Sequence, residues 1–295
     1  MLRSAEAKSH AAITIVNAMA AGKGAALGIK LWTKATVTVT DHPGEFVARN
    51  ISDPKENADL ARITAQYVFA KFHADKRLGA VVQTESNIPI AVGLKSSSAA
   101  SNSVALASLY ALGRKRSDVE VVKLGVEASL RARVTITGAY DDACASYFGG
   151  LVLTDNAKRR IVKRFRPEGQ LRVLVLVPKM KRYTRSVNPK PMKAIKSLAL
   201  AVHRDALRGN YWRSMTLNGL IYSMALGYDT TATWAALDAG ALAAGLTGKG
   251  PAVAAVVSAS NARGVRSAWR GRGGQIIETS FNFQKATASR SKDWM

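Results

Sequence analysis

Residues 89–99 have the composition of a site that binds an anion. They read Pro-Ile-Ala-Val-Gly-Leu-Lys-Ser-Ser-Ser-Ala, and an alanine-rich helical run follows from about Ser97 to Leu112. A glycine and three hydroxyl residues at a helix start leave backbone N–H groups free at the positive end of the helix dipole. Phosphate is the anion that such sites most often hold. The alternative is that Ser96 and its two neighbours only cap the helix, but three consecutive serines exceed what a cap needs.

Two adjacent carboxylates, Asp141 and Asp142, are the sharpest acidic feature of the chain. They lie between Gly138 and a run of small residues that ends at Gly149-Gly150. Carboxylates supply a general base and bind metal ions, and a hydroxyl that attacks phosphorus needs such a group. The alternative is a helix start that uses one aspartate as its cap, and the two residues can serve both purposes.

Two Gly-Lys-Gly turns add lysines next to flexible backbone. Lys23 lies between two glycines at the end of a buried run over residues 13–24, so a ligand could approach closely, although a simple turn explains it equally well. The second turn lies within residues 245–250 and leads into a buried strand. It either places backbone N–H groups near phosphate or is simply the turn of a hairpin. Neither turn has the hydroxyl that completes a P-loop, and the Gly-rich pattern of protein kinases is absent.

The composition is that of a folded globular protein, and its charge favours anionic partners. The 295 residues suffice for two domains or one large one, and 47% hydrophobic with 21% charged residues is typical of a folded globular protein. The net charge of +23 favours anionic partners such as nucleotides, sugar phosphates, nucleic acid or acidic membrane surfaces. A generally basic proteome would explain the charge as well.

Cysteine and histidine usage argues against disulfides and a structural zinc. Cys144 is the single cysteine, which favours a reducing, cytoplasmic compartment. The four histidines, His10, His42, His73 and His203, lack the spacing of metal ligands. No apolar run approaches the roughly 20 residues that a membrane-spanning helix needs.

The hydrophobic pattern predicts a mixed α/β chain. Period-two or continuous apolar runs predict strands at residues 13–24, 25–40, 79–86, 171–178, 251–257 and 275–281. Helical patterns cover residues 53–72, 97–112, 118–132, 191–208, 211–226, 230–244 and 262–269. Asp53-Pro54-Lys55-Glu56 has the residues of a helix start. The basic, polar stretch 155–169 is the predicted domain boundary, which divides the chain into domains 1–157 and 158–295.

These motifs together resemble those of the GHMP small-molecule kinases. That family's nucleotide loop has the form Pro-x-x-x-Gly-Leu-Gly-Ser-Ser-x-Ala, and residues 89–99 match it except for Lys95 in place of glycine. Residues 138–150 are similar to the family's segment with a catalytic aspartate ahead of Gly-Gly, and residues 245–255 are similar to its C-terminal Gly-rich motif. The resemblance extends over the whole chain and implies an N-terminal ribosomal-protein-S5-like domain followed by a ferredoxin-like domain.

One branch of the family, the archaeal-type shikimate kinases, matches in more detail. The matching blocks are residues 13–29, 93–99, 137–143 and 217–220, and here Lys95 is itself a match. The resemblance implies transfer of the γ-phosphoryl group of Mg-ATP to the 3-hydroxyl of shikimate, in the route to chorismate and the aromatic amino acids.

The resemblance also implies a set of site residues. Asp141 is expected to be the base or to orient the hydroxyl, with Asp142 as the alternative because a one-residue shift exchanges them. Lys23 and Lys95 are expected to stabilise the transferring charge. Backbone of both Gly-rich segments is expected to hold the ATP phosphates, namely Pro89, Ile90, Ala91, Val92, Gly93, Leu94, Lys95, Ser96, Ser97, Ser98, Ala99, Gly248 and Gly250.

Further residues are expected to bind Mg²⁺ and shikimate. Ser97 and Glu127 are the expected Mg²⁺ ligands, although Glu127 is farther from Asp141 along the chain than in relatives. Asn17, Arg185 and Asn218 are expected to contact shikimate, whose carboxylate favours a cation such as arginine.

Two other functions fit part of the pattern. The nearer alternative is another GHMP kinase that acts on homoserine or mevalonate. The more distant one is an RNA-binding protein of the same fold, which the net charge would suit. Nucleic acid is nevertheless disfavoured, because aromatic residues do not interleave with the basic ones and the aspartate pair would repel phosphates.

Overall fold

A long hairpin of two strands forms the centre of the fold. Strand β1 (Ser4–Val16) pairs antiparallel with β2 (Lys23–Thr40) along most of its length. Apolar and polar residues alternate over the second half of β2, and this period of two favours extended backbone. The computed structural model describes residues 3–72, 77–135, 137–180 and 190–290.

The other strands of the described ranges complete two sheets. They are β3 (Phe46–Asn50), β4 (Gly79–Ser86), β5 (Leu151–Asp155), β6 (Arg160–Phe165), β7 (Leu171–Val177), β8 (Ala243–Leu246), β9 (Val253–Ser258), β10 (Gln275–Ser280) and β11 (Thr287–Arg290). The larger sheet has the order β11-β1-β2-β4-β3, and the hairpin β5-β6 joins it at the Lys23 end of β2. The smaller sheet has the order β10-β7-β9-β8 and is antiparallel.

Helices cover both sheets. They are α1 (Asp59–Lys71), α2 (Ser96–Ala111), α3 (Asp118–Arg131), α4 (Tyr140–Phe148), α5 (Lys190–Ala194), α6 (Lys196–Leu207), α7 (Tyr211–Leu226), α8 (Thr231–Asp238) and α9 (Ala262–Trp269). In the described part of the chain, none of them is both long and apolar enough to cross a membrane.

The larger sheet is buried on both faces where the end of β1 pairs with the start of β2, and neighbouring residues there point to opposite sides. Ala12 and Ala26 pack with α1–α4 on what we call the helical face. Ile13, Ala25 and Leu27 pack with the smaller sheet and with α6 and α7 on what we call the C-terminal face. This alternation decides which side chains of the hairpin can meet in one site.

Most of the predicted elements are confirmed, and several differ. The run predicted as a strand over residues 13–24 is only the end of β1, and Lys23 belongs to β2 rather than to a turn. The helix predicted from Asp53 begins six residues later, at Asp59, because residues 53–56 close a separate turn and the Asn57 side chain accepts the Asp59 N–H at 2.6 Å. The third helical run of the second half ends at Asp238, and residues 243–246 instead form a strand paired with β9. The polar stretch 155–169 contains a strand, because residues 160–165 form β6.

The predicted domain boundary therefore falls inside a hairpin. Residues 157 and 158 lie in the turn between β5 and β6, and the larger sheet continues to Phe165 before β7 opens the smaller one. Near the end of the chain, β11 returns to pair with β1. The division into domains 1–157 and 158–295 remains a prediction.

Candidate active site

The start of α2 lies beside the predicted phosphate loop and has no side-chain cap. Its N-cap residue is Lys95, in the left-handed conformation with φ 64° and ψ 30°, and no side chain accepts a hydrogen bond from the first turn. The first bond of the helix runs from the Ala99 N–H to the Lys95 carbonyl at 3.0 Å. Among the described residues nothing accepts from the N–H groups of residues 96–98, so the interpretation of the serines as caps is wrong.

The two Gly-rich segments meet directly. The Thr247 hydroxyl donates to the Gly93 carbonyl at 3.0 Å, and the Ala252 N–H donates to the Val92 carbonyl at 3.1 Å. Gly93 has a φ of +96°, and a Cβ there would overlap the Thr247 carbonyl. Glycine is required at this position both for the backbone conformation and for the close approach. The structure thus brings Gly248 and Gly250 to the loop formed by residues 89–99.

Thr14, which sequence analysis missed, connects the two segments to β1. Its hydroxyl oxygen accepts hydrogen bonds from Lys95 Nζ at 2.6 Å and from the Gly248 N–H at 2.8 Å. A threonine within a buried strand gives no sign in sequence that its hydroxyl serves two distant segments. Only the packing of β1 between the loop and the second Gly-rich segment brings this hydroxyl to both.

Replacing Thr14 by valine is expected to lower the free energy of unfolding by about 1–3 kcal/mol, because the Gly248 N–H loses its buried acceptor. Valine keeps the shape of the side chain, so the loss reports the hydrogen bonds rather than a cavity. Thr14→Ser retains the oxygen and should unfold at nearly the wild-type urea midpoint. Equal losses in both variants would contradict this role of the hydroxyl.

Lys95 also joins the loop to the acidic pair. Its Nζ lies 2.9 Å from Asp142 Oδ1, and the two side chains are 5% and 17% exposed. Asp142 occupies the first turn of α4, so the starts of α2 and α4 face each other across this ion pair. A buried lysine beside a phosphate loop supplies positive charge where the local dielectric is low.

Asp141 points away from this ion pair into the protein. Asn156 Nδ2 donates to Asp141 Oδ1 at 2.7 Å, and Asn156 Oδ1 accepts from the Asp141 N–H at 3.2 Å. A Cβ on Gly24 would overlap the Asp141 carboxylate, so only glycine fits there. Burial, and after it the charge of Asp142, raises the pKa of Asp141 well above the ordinary value. The two carboxylates therefore differ: Asp142 faces the loop and Asp141 is buried behind it.

A second lysine of the site, Lys249, was not singled out from the sequence. It lies between Gly248 and Gly250, and its backbone carbonyl accepts from the Tyr228 hydroxyl at 3.0 Å. Burial, and after it the positive charge of Lys95, lowers the pKa of Lys249 to about 8, while Asp142 acts in the opposite direction. Its position inside the predicted Gly-rich turn was the clue that sequence offered.

Asn17 and Asn218, two of the three residues predicted to bind the substrate, lie next to each other. The Asn17 N–H donates to Asn218 Oδ1 at 2.8 Å, and Asn17 Nδ2 donates to the Gly248 carbonyl at 2.7 Å. The Tyr222 hydroxyl donates to the Asn17 carbonyl at 2.9 Å, and burial followed by the charge of Asp141 raises the pKa of Tyr222. Asn218 Nδ2 is buried without a partner. The third predicted contact, Arg185, lies outside the described residues.

Lys23 and Glu127 are placed in other ion pairs. Lys23 Nζ pairs with Asp155, and the hydrogen bond from Lys23 lowers the pKa of that carboxyl. Glu127 lies 3.2 Å from an Arg159 nitrogen and 3.9 Å from an Arg131 nitrogen. Within the described contacts, neither Lys23 nor Glu127 reaches the acidic pair or the loop, so the roles predicted for them gain no support here.

The donor set suits a metal that arrives with phosphate rather than a resident one. Within the described residues, no group of three or more His, Cys, Asp or Glu side chains could hold a metal ion. Mg²⁺ in phosphoryl-transfer sites is typically bound by one or two carboxylates together with phosphate oxygens. One carboxylate, Asp142, and the Ser97 hydroxyl at the second position of α2 lie at the loop and fit that pattern.

Comparison with known families identifies the class of protein. The family of the GHMP kinases N terminal domain matches residues 59–150, and that of the GHMP kinases C terminal matches residues 204–275. The chain belongs to the GHMP kinase family, and the predicted fold class is confirmed.

Named relatives resemble this chain over almost its full length. A shikimate kinase of Methanosarcina mazei is 41% identical over 271 residues, which cover 91% of both chains. A shikimate kinase of Pyrococcus abyssi is 42% identical over 275 residues, covering 92% of this chain and 97% of that one.

Solved structures share the fold at much lower identity. A homoserine kinase from Cytophaga hutchinsonii superposes with a TM-score of 0.76 at 17% identity and 97% coverage of both chains. The mevalonate kinase of Methanococcus jannaschii gives a TM-score of 0.73 at 13% identity, covering 94% of this chain and 98% of that one. At such identities these likenesses establish the fold alone.

Proposed function

We propose that the chain is an ATP-dependent shikimate kinase, which transfers the γ-phosphoryl group of ATP to the 3-hydroxyl of shikimate. The observation that carries the proposal is the Lys95–Asp142 ion pair between the uncapped start of α2 and the start of α4. Together with about 40% identity to shikimate kinases over more than 90% of the chain, it supports this kinase rather than another of the family.

In this proposal the loop of residues 89–99 holds the ATP phosphates. The N–H groups of residues 96–98 donate to phosphate oxygens, and the dipole of α2 adds to the attraction. Lys95 and Lys249 stabilise the charge that builds on the transferring group, since a loose transition state is stabilised mainly by electrostatics. Ser97 and Asp142 would hold Mg²⁺ together with the phosphates, and the ion would supply further neutralisation of charge.

Asp142 is the better candidate for the base, although the sequence favoured Asp141. The Asp142 carboxylate forms an ion pair with Lys95 at the loop, where a bound hydroxyl can give up its proton to a carboxylate oxygen. Asp142 also touches the loop, whereas Asp141 is 3% exposed and hydrogen-bonded to Asn156. Burial raises the pKa of Asp141, which favours its neutral form, and its proposed role is to position α4 and Asp142.

The acceptor is proposed to bind beside Asp142, near the polar cluster of Asn17, Asn218 and Tyr222. The unpartnered amide nitrogen of Asn218 can donate to a substrate hydroxyl, since a buried amide otherwise lacks its partner. Arg185 remains the proposed partner of the shikimate carboxylate.

Initial rates with ATP and four acceptors test the proposal. Shikimate, homoserine, mevalonate and galactose are compared in a coupled assay of ADP release at saturating ATP. Shikimate is expected to be the one acceptor that raises the rate above the ATP-only background. Turnover of any of the other three at a comparable kcat/KM would contradict the proposed substrate.

The KM for ATP is expected to rise as the pH increases through about 8, because Lys249 loses its proton there and with it the attraction to phosphate. Lys249→Arg keeps the charge to much higher pH, so this limb of the profile should move upward in that variant. An unchanged limb would show that the charge of Lys249 does not contribute to nucleotide binding.

A further inference from the structure

A second cleft lies between α6 and the hairpin β5-β6. It has a volume of about 310 Å³. Lys23, Arg160, His203 and Arg204 supply its basic side chains. None of the residues of the phosphate loop or of the acidic pair lines it.

The cleft lies across the larger sheet from the acidic pair. Neighbouring residues of β2 point to opposite faces, and the Asp141 carboxylate packs against Gly24 on the helical face. Lys23 is therefore directed to the C-terminal face, where Ala25 and Leu27 pack with α6 and the smaller sheet. The backbone of the sheet thus separates the cleft from the site of phosphoryl transfer.

His203 offers this cleft a buried hydrogen-bond acceptor. The residue is 5% exposed, and its Nε2 has no hydrogen-bond partner. The ring bonds the backbone of Thr154, and since Nε2 is unpartnered this bond uses Nδ1. Burial, and after it the charge of Lys23, lowers the pKa of His203, so the imidazole is neutral at pH 7. A neutral ring that donates through Nδ1 accepts through Nε2.

The charges of the cleft favour an anion. Asp155 is neutralised by Lys23, whereas Arg160 and Arg204 have no acidic partner in the described part of the chain. The remaining lining is apolar and comes from Val162, Leu200 and Leu207. A ligand of matching chemistry has an acid group, an apolar body and a hydroxyl or N–H donor.

We propose that this cleft is a second binding site, for a small organic acid with an apolar body and a hydrogen-bond donor near its acid group. The acid group meets Arg160 and Arg204, the body rests on the apolar wall, and the donor bonds His203 Nε2. The proposal does not depend on which acceptor the enzyme phosphorylates.

Calorimetric titration of the full chain with three probes tests the proposal. The probes are 3-phenyllactate, which has all three features, 3-phenylpropionate, which lacks the hydroxyl, and inorganic phosphate, which lacks the apolar body. One equivalent of 3-phenyllactate is expected to bind, and 3-phenylpropionate should bind about tenfold more weakly because the buried His203 nitrogen stays unpaired. Arg204→Gln should also weaken 3-phenyllactate about tenfold. Arg208→Gln, an exposed arginine one turn farther along, serves as the matched control and should bind like the wild type.

Several results would overturn the proposal. One is the absence of saturable 3-phenyllactate binding at millimolar concentration, and another is phosphate binding of equal strength. Binding that Lys95→Gly abolishes and Arg204→Gln leaves unchanged would assign the ligand to the phosphoryl-transfer site instead. Competition with shikimate in the wild type would lead to the same conclusion.

Discussion

Asp142→Asn is expected to lower kcat with shikimate by about a thousandfold, the effect typical of losing a general base. The amide cannot accept the proton of the 3-hydroxyl, while the phosphate loop and its backbone N–H groups are unchanged. The KM for Mg-ATP should change far less than kcat, although Asp142 is also a proposed Mg²⁺ ligand, and binding of ATP without Mg²⁺ measured by calorimetry should persist.

Asp141→Asn is the matched control for this prediction. The two aspartates are adjacent, both belong to the first turn of α4, and the same atom is exchanged. We expect a clearly smaller loss of kcat for Asp141→Asn, together with lower stability, because the bond from Asn156 is disturbed. A larger loss for Asp141→Asn than for Asp142→Asn would reverse the two roles.

Lys95→Gly is expected to lower kcat by at least a hundredfold, because the variant loses the cation that joins the loop to Asp142. Glycine adds no backbone strain there, since Lys95 has a φ of 64° and glycine adopts this conformation freely, so the loss of stability comes from the lost side-chain contacts to Asp142 and Thr14. A non-glycine residue in the left-handed region costs about 1–2 kcal/mol, so this lysine is retained against the preference of the backbone.

Lys95→Met separates charge from backbone in the same experiment. Methionine keeps the length of the side chain and the strain of the left-handed conformation but has no charge. Both variants should lose activity to a similar extent, while thermal unfolding should rank Lys95→Gly above Lys95→Met. Full activity in either variant would contradict a role for the ammonium group.

The loop and the acidic pair could be predicted from the sequence because their chemistry is local. Residues 89–99 carry a glycine, serines and a helix start within one segment, and Asp141 and Asp142 are neighbours in the chain. The strands and helices around them are predicted by the periodicity of apolar residues. The resemblance to the family indicates the order in which the motifs occur along the chain. These features require no knowledge of which segments meet in space.

Residues whose function depends on distant partners could not be predicted in this way. Thr14 acts through Lys95 and Gly248, which are 81 and 234 positions away. Lys23 lies between two glycines, as in a ligand-binding turn. It begins β2, however, and the alternation of side chains along that strand directs it to the C-terminal face and to Asp155. The two aspartates were indistinguishable until the position of α4 showed that Asp142 faces Lys95.

The helix predicted at Asp53 shows a second kind of limit. Its residues satisfy the rules for a helix start, but the Asn57 side chain accepts the Asp59 N–H in a local turn, and the helix begins at Asp59. Short polar side chains that bond nearby backbone can shift a boundary by more than a turn. Such competition is decided by local geometry that residue types alone do not fix.

Product analysis by phosphorus and proton nuclear magnetic resonance tests the central claim most directly. The wild-type enzyme is incubated with Mg-ATP and shikimate, and the position of the new phosphate ester is read from its coupling to the ring protons. We expect a single product, shikimate carrying phosphate on the 3-hydroxyl, and almost none with Asp142→Asn. A phosphate on another hydroxyl, or hydrolysis of ATP without any phosphorylated shikimate, would contradict it.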